Sequence, residues 1–170
     1  MPICLTIVVV CLASSTLAQA PDDLAPPPVK FISREDRAKL DVKDKDIKDR
    51  TKLTLELMDL RLDAAERLHA NREYDAMFSE LGGFHGLMDD GLGFLGGRDQ
   101  RSGKVLDNYK RLEIGLRSFS PRIEVLRREI PQRYDDYLRK LSKYVREART
   151  RATEPFFGET VIRDRKPTDP

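Results

Sequence analysis

From Val105 to Ala148 the apolar residues recur at alternating intervals of four and three: Val105, Tyr109, Leu112, Leu116, Phe119, Ile123, Leu126, Ile130, Tyr134, Tyr137, Leu141, Tyr144 and Ala148. That beat places all of them on one side of a helix and predicts a long amphipathic seam. Leu126, Ile130 and Tyr134 break it with two steps of four beside Pro131, a stutter. Ser120-Pro121 has the form of an N-cap followed by proline at the first helical position, yet the beat passes through it. A kink or a tightly joined pair of helices is expected there, and a second kink or break at Pro131, which has no loop residues for a reversal.

Upstream, a long helix is expected from about Asp46. Leu53, Leu57, Leu60, Ala64 and Leu68 share one side, and Leu55, Met58, Leu62 and Ala65 lie nearly opposite. An apolar arc that wide needs more than one neighbour, so this helix belongs inside a bundle. Residues 81–97 carry seven glycines, but Leu81, Phe84, Met88, Leu92 and Leu95 keep helical spacing. Each interior glycine costs about 1 kcal/mol relative to alanine, so packing has to hold this segment helical, and its glycines allow a partner helix to approach closely. Gly96-Gly97-Arg98-Asp99-Gln100-Arg101-Ser102-Gly103 reads as the clearest turn. Ser33 is a candidate N-cap, with Asp36 in the capping-box position, for a short helix to about Leu40. The fold expected is all-α: an elongated antiparallel hairpin or bundle of long, kinked amphipathic helices. Its arms are 46–97 and 103–152, reversed at 96–103, with residues 33–41 alongside. Straight arms of that length would span about 75 Å, so kinks near the glycines and prolines are expected to fold them into three or four shorter helices.

Outside residues 33–157, the expected bundle domain, the patterning changes. Residues 1–20 have the outline of a secretory signal: an apolar run from Ile3 to Leu12, too short to span a bilayer, then Leu17-Ala18-Gln19-Ala20 with the small residues of a cleavage site. No Lys or Arg precedes the run. Both cysteines, Cys4 and Cys11, fall in this segment, so a chain cleaved near Ala20 has no disulfide or thiol chemistry. Val8-Val9-Val10 lacks the small residue that precedes a lipoprotein cysteine. A secreted or periplasmic location follows, with no transmembrane segment in the mature chain. Residues 21–32, with Pro21, Pro26, Pro27 and Pro28, read as a proline-rich linker, and 158–170 as a disordered tail. Phe156 and Phe157 are expected to cap the end of the bundle.

Charged residues make up 35% of the chain and aromatics 7%, a balance that suits helices with solvated outer faces. The net charge of +2 hides an asymmetry: residues 21–97 carry 12 basic and 17 acidic side chains, residues 98–170 carry 19 and 12. Either the halves fold against each other or the basic half meets an anionic partner.

Candidate chemistry is sparse. Glu66-x-x-His69 has the spacing of di-iron bundles, which need it twice, and His85 has Gly82 three residues before it. Asp59 with Asp63, and His85 with Asp89, are i,i+4 pairs able to clip a divalent cation weakly. There is no Gly-x-Ser-x-Gly elbow. Asp89 and Asp90, being adjacent on a helix, point apart, and Gly91-x-Gly93-x-x-Gly96 lacks the preceding strand of a dinucleotide loop. Arg133, Arg139, Lys140, Lys143, Arg146, Arg149 and Arg151, beside Tyr134, Tyr137 and Tyr144, form a candidate surface for an anionic membrane or cell-wall polymer, with Arg139, Lys140, Lys143, Arg146 and Arg149 at its centre. The function expected is an exported, non-catalytic helical binding or scaffold protein, without cofactor, engaging a protein partner or a second copy of itself. The alternatives are a metal-binding bundle and a peripheral binder of an anionic surface. Nucleic acid is disfavoured by export.

Overall fold

The computed structural model describes residues 24–157; the expected signal segment and the tail beyond Phe157 lie outside the described residues. Among the described residues five α-helices follow one another: α1 Arg34–Val42, α2 Ile47–Ala70, α3 Tyr74–Gly96, α4 Gly103–Glu129 and α5 Gln132–Thr153, then a 3-10 turn Glu154–Phe156. The fold is the expected all-α bundle, with α2 antiparallel to α3 and α4 antiparallel to α5. Because Leu55 meets Gly115 and Glu66 meets Arg122, α2 and α4 run in the same direction. Tyr134 on Phe78 and Tyr144 on His85 align α3 with α5 in the same way. One end of the bundle therefore gathers the N-termini of α2 and α4 and the C-termini of α3 and α5.

The starts of α1 and α2 follow from local chemistry. Ser33 Oγ accepts the Asp36 N–H at 3.0 Å, and Asp46 Oδ1 accepts the Asp49 N–H at 3.0 Å. Residues 81–97 are helical as far as Gly96, held by burial of Leu81, Phe84, Leu87, Met88, Leu92 and Leu95.

The arms are divided into shorter helices as expected, but by two full reversals where kinks or a break at most were expected. The arm 46–97 is two helices, not one: the chain turns back at Asn71–Glu73. Arg72 adopts φ 63° there, the Glu73 N–H reaches Leu68 O and the Arg72 N–H reaches His69 O. This is a Schellman closure with arginine where glycine is usual. At 130–131 the chain reverses within two residues, because the residue before proline is driven to extended backbone: Ile130 has ψ 149° and Pro131 ψ 145°. Pro121, by contrast, lies inside a continuous α4, and Ser120 Oγ bonds Leu116 O at 2.9 Å in place of capping.

Two glycines of α3, Gly82 and Gly86, have a different partner from the one expected, whereas Gly83 and Gly91 do face a partner helix, meeting Arg61 and Thr54 of α2. A Cβ at Gly82 would collide with the carbonyl oxygen of Val29, and one at Gly86 with that of Phe31. The neighbour is extended backbone from residues 24–32, the segment read above as linker, not a helix. It lies across α3 as a strap: Ala25 N–H donates to Arg133 O on α5 at 2.8 Å, and Lys30 pairs with Asp89 at 2.7 Å. Arg61 of α2 stacks on the Phe31 ring at 5.4 Å while bonding Asp36 at 2.6 Å and Glu80 at 2.9 Å, tying α1, α2 and α3 together. Deeper in, the 2%-exposed Arg50 bonds Asp44, Thr54 and Asp90, and Asp90 also takes Arg37.

Candidate functional site

The sequence placed metal chemistry on α2 and α3, and the carboxylates there already hold a cation. Asp59, Asp63 and Glu66 converge on the Arg122 guanidinium at 2.6, 2.5 and 2.7 Å. These contacts, Glu66 foremost and outweighing desolvation, raise the Arg122 pKa still further above its ordinary range. His69 does not join Glu66; it is half-buried against Tyr74 with ring centroids 6.1 Å apart. His85 is 3% exposed, lies 4.9 Å from the Tyr144 ring, and has Nε2 3.9 Å from Asp89, which is itself paired with Lys30. Burial lowers the His85 pKa, with the Lys30 charge adding to the fall and Asp89 opposing it, so this imidazole is neutral at pH 7. Among the described residues no group of three or more metal-ligating side chains is arranged to hold an ion.

The proposed anionic-surface patch on α5 is mostly neutralised at home. Arg139 pairs with Asp135, Lys140 with Asp136 at 2.8 Å, and Lys143 with Glu147 at 3.6 Å, each at i,i+4. Arg149 donates twice to Glu113 on α4 at 3.1 Å. Arg133, Arg146 and Arg151 stay exposed without such a pair among the described residues.

Cationic side chains instead line openings at the end of the bundle where α2 and α4 begin. A cavity of about 560 Å³ opens between the last turns of α3 and α5 and the first turns of α4. Leu92, Leu106 and Pro155 form its apolar lining, Arg101 and Arg151 its basic side, with Glu154 opposing them. Tyr109, 4% exposed, closes the back, its phenol pKa pushed up by burial. A second cleft, of about 460 Å³, separates the first turns of α2 and α4 and is lined by Lys45, Lys48, Lys104 and Arg111. Apolar side chains stand exposed at this same end: Val42 at 79% on the last turn of α1, Phe156 at 40% and Phe157 at 70% just beyond α5. The phenylalanine pair therefore does not cap the bundle as expected.

The sequence pattern placed Arg151 on the α5 surface but did not assemble this end, because its residues are scattered over four segments, none of which is a run of one sign of charge or an apolar run by itself. The available signal was the turn at 96–103, rich in arginine and glycine, together with the unmatched Phe156-Phe157 after the last helix. No helix among the described residues is long and apolar enough to cross a membrane. Comparison with protein-family models, with curated proteins and with solved structures finds no match, and the site is read from its chemistry alone.

Proposed function

We propose that this chain is an exported, non-catalytic binding protein that attaches peripherally to an anionic lipid surface by the end of the bundle formed by the N-termini of α2 and α4. The observation that carries the reading is the coincidence, at that one end, of exposed phenylalanines with cation-lined openings. Amphipathic surfaces bind such membranes through both components at once: apolar side chains enter the headgroup layer, and each nearby Lys or Arg contributes about 1 kcal/mol of attraction to anionic lipid. The middle of α5 offers that combination less well, because Arg139, Lys140 and Lys143 pair with carboxylates of their own helix and Arg149 with Glu113 of α4. The metal-binding alternative is weakened by Arg122, which occupies the space between the three carboxylates that a cation would need. Export rests on the apolar run and small residues before Ala20.

Co-sedimentation with vesicles containing phosphatidylglycerol tests this. The protein is expected to pellet at low salt and to be released at high salt. Phe156→Ser with Phe157→Ser and Arg151→Glu should abolish pelleting, while Arg139→Glu with Lys140→Glu should leave it nearly unchanged. Loss with the α5 variant and none with the other would overturn the reading. Pelleting of neither variant nor parent would do the same and leave a soluble scaffold.

A further inference from the structure

The cleft between the first turns of α2 and α4 has the makings of a specific oxyanion site, beyond a diffuse basic surface. Its four cations, Lys45, Lys48, Lys104 and Arg111, face two carboxylates, Asp46 and Asp107. Asp46 Oδ1 caps α2 by accepting the Asp49 N–H; that bond foremost, with the Lys48 and Lys43 charges, holds its carboxyl below the usual aspartate range, so it stays ionised and the cleft sets four cations against two carboxylates. Lys45, Lys48 and Lys104 make no ion pair among the described residues, unlike Lys39, Lys140 and Lys143. Arg111 is oriented from beneath: Asn108, 3% exposed, donates to Lys104 O at 2.7 Å and accepts from Arg111 Nη1. A guanidinium fixed by a buried amide is a planar fork with its remaining donors free for an oxyanion, and flexible lysines around it supply point charges. The field of α4 adds to theirs, for Ser102 makes no side-chain cap and the first turn has no acidic residue.

We infer that this cleft binds a phosphate group, with Arg111 as the oriented anchor and Lys45, Lys48 and Lys104 closing around it. The inference rests on the reading of the bundle end as a lipid-facing surface and adds the headgroup chemistry it would select. A volume of about 460 Å³ admits a phosphate with a small polar substituent. The group comes either from a phospholipid headgroup or from free phosphate.

The test is titration of the purified full chain with inorganic phosphate and with soluble short-chain phosphatidylglycerol, at constant ionic strength, followed by amide chemical shifts and calorimetry. Saturable shifts centred on residues 45–48 and 104–111 are expected. Lys104→Glu and Arg111→Gln should each weaken binding about tenfold or more, the loss expected of one charge-assisted hydrogen bond. Lys104→Glu should leave the thermal unfolding midpoint unchanged, whereas Arg111→Gln also takes a partner from the buried Asn108 amide and lowers it. Lys48→Glu, at an exposed position, repeats the test without touching the Asn108 contact. Saturation by both probes assigns the phosphate group itself, and saturation by the lipid alone assigns a headgroup. Shifts that match those caused by chloride, with no loss in any of the three variants, would overturn the inference. Vesicle attachment sensitive to Phe156 and Phe157 would survive that result, whereas insensitivity of attachment to Phe156, Phe157 and Arg151 would sink the surface reading and leave a free-phosphate site standing.

Discussion

Two glycines on the same helix illustrate how far a residue's role depends on what stands over it. Gly93 has nothing within 4 Å of the place a Cβ would occupy, whereas Gly86 has the Phe31 backbone there. Gly93→Ala should therefore stabilise the protein by about 0.5–1 kcal/mol, through helix propensity alone. Gly86→Ala should destabilise it by about 1–3 kcal/mol, as overpacking does, or lift the strap instead. Chemical denaturation separates the two signs, and limited proteolysis near Val29 reads the second outcome. Equal effects of the two substitutions would mean that the strap does not pack on α3. The sequence offered the glycines and their helical spacing but not this asymmetry. Arg72 shows the same limit: a left-handed position usually betrayed by glycine is filled by arginine, so the turn at 71–73 has no local signature.

At the scale of elements, parallel α2 and α4 are joined through Gly115, where a Cβ would strike Leu55, and through Arg122. Parallel neighbours share no connecting turn, so their register depends on side chains. Arg122→Leu removes three ion pairs and leaves Asp59, Asp63 and Glu66 repelling one another. Because these carboxylates are 39–53% exposed, each pair is worth little, and a loss of about 1–2 kcal/mol in all is expected. Denaturation at low salt should show that loss, and about 1 M salt should shrink it as screening reaches contact range. A loss independent of salt would mean that Arg122 acts by packing. Periodicity alone made the α4–α5 seam legible, and all of it is buried except Ile130 and Tyr144. The stutter at Leu126–Tyr134 was legible too, but its meaning was not: it marks a full reversal, since both Ile130 and Pro131 are extended.

For the whole molecule, pH acts through buried groups on different elements. His85 faces Lys30 from the strap, Asp89 from α3 and Tyr144 from α5. Burial depresses its folded pKa below the ordinary 6.5, so its contribution to stability is complete above that value and is lost as pH falls through it. Asp36 and Glu113 act lower on the scale. Burial pushes both carboxyls up, but hydrogen bonds outweigh it, from Arg61 and Ser33 to Asp36 and from Arg117 and Arg149 to Glu113. Their folded pKa values therefore lie below 3.8 and 4.5, and the stability they add is present above those values and lost beneath them. The unfolding midpoint should accordingly drop in two stages on acidification, and His85→Gln should flatten the first stage alone. An unchanged profile in that variant would show that the imidazole is not held neutral by burial.

What the sequence determined by itself is what repeats along the chain or is written within one turn of it. Helical period gave the all-α class and the buried seam, and Ser33 and Asp46 gave the starts of α1 and α2, because these depend on neighbours three or four residues away. The tertiary structure decided which faces meet. It folded each arm into two helices and laid residues 24–32 over Gly82 and Gly86. It also set Arg122 among the acids of α2 and brought four segments to one basic end. The strap, the place of Arg122 and the basic end rest on contacts between residues some 50 or more positions apart, and periodicity carries no information about which distant face will fill a groove or answer a charge.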